Sequence, residues 1–467
     1  MSCGFQLGDC IMNRLVATRT VMVLCLCVNA LVFATSLDGS GKEGPEGIVE
    51  LERGLEEWLR VFGLDHTSMA AAENKLAEKQ YKERGAEITS WTKDASFPNP
   101  DNAALLYYQA FLLRPEPNMA TSEKIMDVLR GAESDRRIRT YLGHCLPMIR
   151  LVETASQIPQ CTWGLWNGPE PDFRKYDLVI QMRRLRLILE VDARVLSADG
   201  HYRAALARCL TMRRLAQHIN DNTTFMRLAS ISLDATALRT AKHVLGAMSP
   251  DVDALMWFRG QLVGIQGAPV TFAEILQAEF EATLYCVRSD PVLLAKLRNQ
   301  LVEKGKDKQI KESARDLTDE QLVSQIREPY ARFLNSVVGI IGKDMSYKQK
   351  YTQMRALTDK LMEEYVSDPV VDPVILRCDP ETRVDEMYPR LIGHAALCNG
   401  LGAAFEIYLI VAETGRLPEK LPEYLPKDPF TGRDFVYEIT DEGFALRCQG
   451  EEFLSGKSRW LEFKVRR

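Results

Sequence analysis

Histidine is scarce in this 467-residue chain, with six residues in all. That leaves little raw material for imidazole-based catalysis or for histidine-rich metal clusters. GxSxG, HExxH and P-loop motifs are missing, and no GxGxxG stands in a strand–turn–helix context. An excess of charge of one sign is missing too. Lys and Arg number 59 against 64 Asp and Glu, a net charge of −5, so no global field recruits nucleic acid or an anionic membrane. What remains, 46% hydrophobic and 26% charged residues, is the composition of a soluble globular protein and excludes wholesale disorder or collagen-like repetition. At roughly 150 residues per domain, the length suggests two or three domains.

The N-terminus carries the most informative short segment. Val21 to Ala34 is an apolar run interrupted only by Asn29, with Arg14 and Arg19 before it and polar sequence from Leu37. Such a run is shorter than the ~20 residues that span a bilayer, and it matches the apolar core of a secretory signal. Residues 1–36 are therefore expected to be a signal peptide, or an N-terminal anchor if uncleaved, followed by a Gly/Ser-rich linker at 37–47. Export places Cys145, Cys161, Cys209, Cys286, Cys378, Cys398 and Cys448 in an oxidising compartment. One to three disulfides are then open to them, while their wide, irregular spacing also fits buried apolar cysteines.

The expected fold is mainly α: an irregular helical bundle over 48–383, with 303–316 as a mobile connector, and a small α+β module over 384–467. Helical spacing is expected at 48–62, from Asp101 to Pro115, and in two helices within 121–158 broken near Ser134 and Pro147. Nearly continuous helix follows over 173–246, then 253–288, 290–303 and 318–365. The last helix, 387–413, is apolar on most faces and must be buried. Beyond Gly415 the pattern turns to strands: Phe435, Tyr437 and Ile439 alternate, on one face expected to cover part of that helix, then Phe444, Leu446 and Cys448, then Trp460 to Val465.

Chemistry-bearing candidates each have a plainer account. Trp163 and Trp166, in a loop rich in Gly and Pro, would stack a ligand ring or plug a gap between helices. Arg183, Arg184 and Arg186 would line a basic groove for an acidic peptide or polysaccharide, or form a solvated helix face paired with Asp177, Glu190 and Asp192. His394 and Cys398 stand at i, i+4 and would share a metal. A closed zinc site needs four ligands, so buried structural side chains are the expectation, with no metal and no cofactor. Asp428, Pro429 and Gly432 form a turn in which Asp bonds amides, Pro fixes φ and Gly permits positive φ; a cation site on Asp428 and Asp434 is the alternative.

Two stretches carry resemblances. The hairpin from Leu185 to Ile219, with Gly200 at its turn, Tyr202 just after and small Ala205 at a close approach, resembles a tetratricopeptide unit. The long apolar helix followed by the Asp-Pro-Phe-Thr-Gly turn is similar to the C-terminal region of type II secretion pseudopilins, which carry their apolar helix at the opposite end. Together with Cys161-Thr-Trp-Gly164, these stretches resemble a group of uncharacterised exported helical proteins of planctomycete-type bacteria. The resemblance implies a periplasmic, envelope or secreted location and no known activity.

The functional expectation is a non-catalytic exported protein that binds or organises a protein or polysaccharide of the envelope. It would contact no nucleic acid, and membrane only through an uncleaved N-terminal segment. The alternative is a hydrolase of envelope or extracellular polymers using Glu170 and Asp172 as an acid/base pair.

Overall fold

The computed structural model describes residues 102–164, 173–220, 223–265, 271–289, 317–367, 384–452 and 457–465, with a few positions between 291 and 299. The leader, the linker, the helix expected at 48–62 and the 303–316 connector lie outside the described residues. The chain is mainly α, with a small antiparallel sheet at its C-terminal end.

Local chemistry sets most helix starts. Asn102 caps α1 (Ala103–Leu113) by accepting from Ala104 N at 3.1 Å, and Asn118 caps α2 (Met119–Leu129) through Thr121 N at 2.9 Å. Asp135 caps α3 (Arg136–Gln157) through Ile138 N at 3.0 Å. α4 (Phe173–Ala198) and α5 (Tyr202–His218) form an antiparallel hairpin around Gly200, whose φ of 81° is left-handed. α6 (Thr224–Ala247) packs on both.

The remaining helices are α7 (Val252–Ile265), α8 (Phe272–Ser289), α9 (Asp319–Gly342), α10 (Tyr347–Ser367) and α11 (Val384–Thr414). A reciprocal capping box between Thr318 and Gln321 starts α9. The strands β1 (Val436–Thr440), β2 (Gly443–Glu452) and β3 (Lys457–Lys464) pair in sequence order. Phe444 lies opposite Ile439 and Phe463, and Leu446 opposite Tyr437 and Leu461.

Four sequence expectations need correction. α3 runs through Pro147, losing one hydrogen bond but keeping Cys145, Leu146, Met148 and Ile149 buried around it. The helix expected over 253–288 is two, α7 and α8, because Thr271 and Glu274 bond each other's amides and start a new helix. The helix expected over 318–365 breaks at Lys343, where the backbone turns extended (ψ 146°), and Ser346 with Gln349 caps the next one. Ile439 is 54% exposed, so β1 does not present Phe435, Tyr437 and Ile439 together against the apolar helix. Phe435, just before β1, does reach α11 at Gly400, and the rest of that cover comes from β2 and β3.

α11 is the hub. Phe405 meets Phe258 of α7 at 5.6 Å between ring centroids, and Tyr388 meets Tyr347 of α10 at 5.6 Å and Phe272 of α8 at 5.8 Å. On the sheet side Tyr408 packs edge-on against Phe444 at 5.7 Å and Phe463 at 6.5 Å, and its hydroxyl donates to the Lys464 carbonyl. Among the described residues it is the helix long and apolar enough to cross a membrane (mean hydropathy 1.7), but 61% of that stretch is buried inside the protein. One buried ion cluster ties the front of the bundle: Arg208 of α5, 2% exposed, bonds Asp192 of α4 at 2.7 Å and also Glu153 of α3. Arg139 of α3 grips Asp199 beside the hairpin turn with two bonds, 2.5 and 2.7 Å.

Gly443 opens β2 against β3, and a Cβ there would lie inside contact distance of the Phe463 carbonyl oxygen and 2.9 Å from Val465 N. Backbone cannot yield as a flexible side chain does. Gly443→Ala is expected to lower stability by roughly 1–3 kcal/mol in thermal or urea unfolding. An unchanged midpoint would place this strand pair differently.

Candidate functional site

The polar group that stands out from the packed interior lies where α5, α6 and α11 meet. α6 is dominated by small and apolar residues, and Asp234 is its one acid. Burial of that carboxylate demands partners. Arg213 of α5 supplies two bonds, Nε to Oδ1 at 2.8 Å and Nη2 to Oδ2 at 3.2 Å. His394 of α11 supplies a third, Nε2 to Oδ2 at 2.9 Å. Cys398, one turn along α11, places its Sγ 3.7 Å from the same Nε2. The side chains of His394, Asp234 and Arg213 are 17%, 12% and 18% exposed, so the cluster is sheltered but not sealed from solvent.

Electrostatics follow from this geometry. Burial alone would push the His394 imidazolium down, but its bonds to Asp234 and Cys398 outweigh that and raise it to about 9. Burial works to raise Asp234, and the bonds from His394 and Arg213 overcome it, so the carboxyl lies below its ordinary range. Arg213 is raised: Asp234 outweighs the penalty of burial. Arg227, also on α6, is lowered by burial despite the charge of Asp234, and its buried Nε has no hydrogen-bond partner among the described residues.

The arrangement resembles a Cys–His–Asp relay in composition but not in geometry. A relay uses the two ring nitrogens for different partners, one for the carboxylate and one for the nucleophile. Here Nε2 faces both Asp234 and Cys398. Asp234, His394 and Cys398 do, however, place three metal-donor atoms within 4.8 Å of one another.

The candidates singled out by sequence are dispersed. Trp163 is half-buried, stacked on Tyr107 at 5.5 Å and Phe111 at 6.4 Å, and donates from Nε1 to the His218 carbonyl at 2.6 Å. Asn102 pins its loop through both the amide and the carbonyl of Thr162, at 2.9 and 2.7 Å. Beneath it His218 accepts or donates at 3.0 Å with the Tyr107 hydroxyl, and burial lowers its imidazolium to about 4. Trp166, Glu170 and Asp172 lie outside the described residues.

Arg183 and Arg184 are exposed, whereas Arg186 turns to Glu190 at 2.7 Å. Asp192, considered as a surface partner for these arginines, is instead buried on Arg208. Tyr202 begins α5 and Ala205 is fully buried in the hairpin. Cys161, Cys209 and Cys398 carry free thiols, and burial raises Cys161 to about 12.

Asp428 is fully buried and its carboxylate accepts from Phe430 N (3.0 Å), Thr431 Oγ1 (2.9 Å), Gln449 N (2.8 Å) and Gly450 N (3.3 Å). Those bonds clamp the turn to β2. Gly432 takes φ 70°, Pro429 precedes the buried Phe430, and Asp434 pairs with Lys427 away from Asp428.

No protein-family model, curated protein or solved structure matches the chain.

Because His394 is raised from 6.5 to about 9, its contribution to stability is full below pH 6.5 and lost as pH rises through 9. In metal-free buffer, unfolding free energy should therefore fall by about 1–3 kcal/mol more between pH 6.5 and 9.5 in the natural protein than in His394→Gln. Parallel pH profiles for the two would remove the Asp234–His394 ion pair.

Proposed function

We propose that this chain is an exported, non-catalytic protein of the cell envelope that binds an acidic, partly apolar segment of another protein along α4. The observation that carries this reading is one stripe of that helix. Tyr176, Ile180 and Arg183 are exposed at i, i+4 and i+7, with exposed Arg184 beside them. The Tyr176 ring leans on Phe225 of α6 at 4.6 Å, which holds it in place. Among the described residues Arg184 has only a loose contact, with exposed Glu116 at 3.6 Å, worth tenths of a kcal/mol, so an incoming carboxylate displaces it easily.

Two apolar anchors beside two guanidinium groups fit an amphipathic acidic peptide. An anionic polysaccharide would satisfy the arginines and leave Ile180 without an apolar partner. The likeness of the α4–α5 hairpin to a tetratricopeptide unit supports the same reading, since such units present helical surfaces to peptides. Export rests on the basic, apolar and then polar N-terminal pattern. Glu170 and Asp172, on which the hydrolase alternative rests, lie outside the described residues.

The test is a titration with a fluorescent helical peptide carrying Glu on one face and Leu on the other, beside a Lys-for-Glu counterpart. The acidic peptide should bind, and Arg183→Ser with Arg184→Ser should weaken it roughly 3- to 30-fold. Equal binding of the basic peptide, or no binding of either, overturns the reading. N-terminal sequencing of the native protein should begin between residues 35 and 37; an intact Arg14 in the envelope fraction would mean an anchor instead.

A further inference from the structure

We propose that Asp234, His394 and Cys398 form a mononuclear site for a zinc-class divalent cation, with Arg213 orienting the carboxylate. The proposal stands independently of the α4 surface. The sequence offers only two of the ligands, His394 and Cys398, and α6 brings the third into reach.

Each residue contributes one donor atom, and the three lie within 4.8 Å of one another. A tetrahedral ion with bonds of about 2.0–2.3 Å holds its ligands roughly 3.4–3.7 Å apart. The separation of His394 Nε2 and Cys398 Sγ, 3.7 Å, already has that value. Nε2 and Asp234 Oδ2 are at hydrogen-bond distance, 2.9 Å, so an ion entering between them replaces the shared proton. It need open the pair by only about half an ångström to reach that ligand spacing.

The donor chemistry narrows the ion. Nitrogen, sulfur and oxygen together suit zinc and its neighbours, whereas calcium and magnesium call for oxygen cages. Arg213 grips both oxygens, Nε on Oδ1 at 2.8 Å and Nη2 on Oδ2 at 3.2 Å, and Oδ2 is the one also turned to His394. A ligating carboxylate is ordinarily fixed by such an outer hydrogen bond. Charge also balances: as the dication enters, the imidazole ring and the thiol each release a proton to solvent. The net charge of the cluster is unchanged, and Arg213 and Arg227 face no larger positive charge than before. Three protein ligands leave a fourth position for water or an exchangeable anion.

Cobalt(II) is the probe, added to the full chain after chelator treatment. The expected result is one ion per chain, displaced by zinc, with a near-ultraviolet thiolate-to-cobalt charge-transfer band. Cys398→Ser should abolish that band, and His394→Gln should weaken cobalt binding at least about tenfold, with helical circular dichroism retained. Should Cys398→Ser fail to fold, Cys398→Ala carries the same reading. Absence of the band in the natural protein overturns the proposal, as does a band of equal intensity in the Cys398 variants.

Discussion

The burial of α11 is the constraint on which the rest of the fold depends. A helix apolar on nearly every face cannot stand in water, and one stripe of contacts cannot cover it. The protein covers it with α6, α7 and α10 of the bundle and with β2 and β3 of the sheet. Phe405 is spent on the bundle, and Tyr408 on Phe444 and Phe463. The sheet in turn is too small to be stable alone and depends on the helix it covers. Asp428 fixes its approach, because one buried carboxylate gathers donors from the turn and from β2 together.

The same constraint explains why the polar cluster is where it is. His394 and Cys398 are polar interruptions of α11, and they meet the single acid of α6. Burying an unpaired carboxylate costs several kcal/mol, and the two cations on Asp234 remove that penalty. The Arg208–Asp192–Glu153 group does similar work between α3, α4 and α5. Both groups keep a partial opening to solvent, the first through Glu153, whose side chain is 33% exposed, and the second through His394, 17% exposed.

Much of this architecture is legible in the sequence. The uniform apolarity of 387–413 announces a buried helix, Asp199-Gly200 the turn of the α4–α5 hairpin, and Asp428 to Gly432 the turn before the sheet. The failures are equally physical. Pro147 reads as a breaker, yet the packing of Cys145 and Ile149 outweighs one lost hydrogen bond. The break at Lys343 has no proline to mark it and rests on the short Ser346–Gln349 capping exchange. Strand alternation assigns faces but not which strand overhangs the helix, so Ile439 reads as covered although it is exposed. The candidate site was half legible. His394 and Cys398 share a helix, but Asp234 stands 160 residues away, and no local pattern joins them. A lone acid among the small residues of α6 was the available signal.

The central claim, that α11 is a core helix completed by the sheet, is tested most directly by removing residues 428–467 and measuring solubility and association state. Removal takes away Phe444, Leu446, Leu461 and Phe463, all buried. The account predicts several hundred Å² of newly exposed apolar surface and an aggregating product. A truncated chain that stays soluble and monomeric, with its helical signal unchanged, would show that the helical bundle buries α11 alone and would contradict the account.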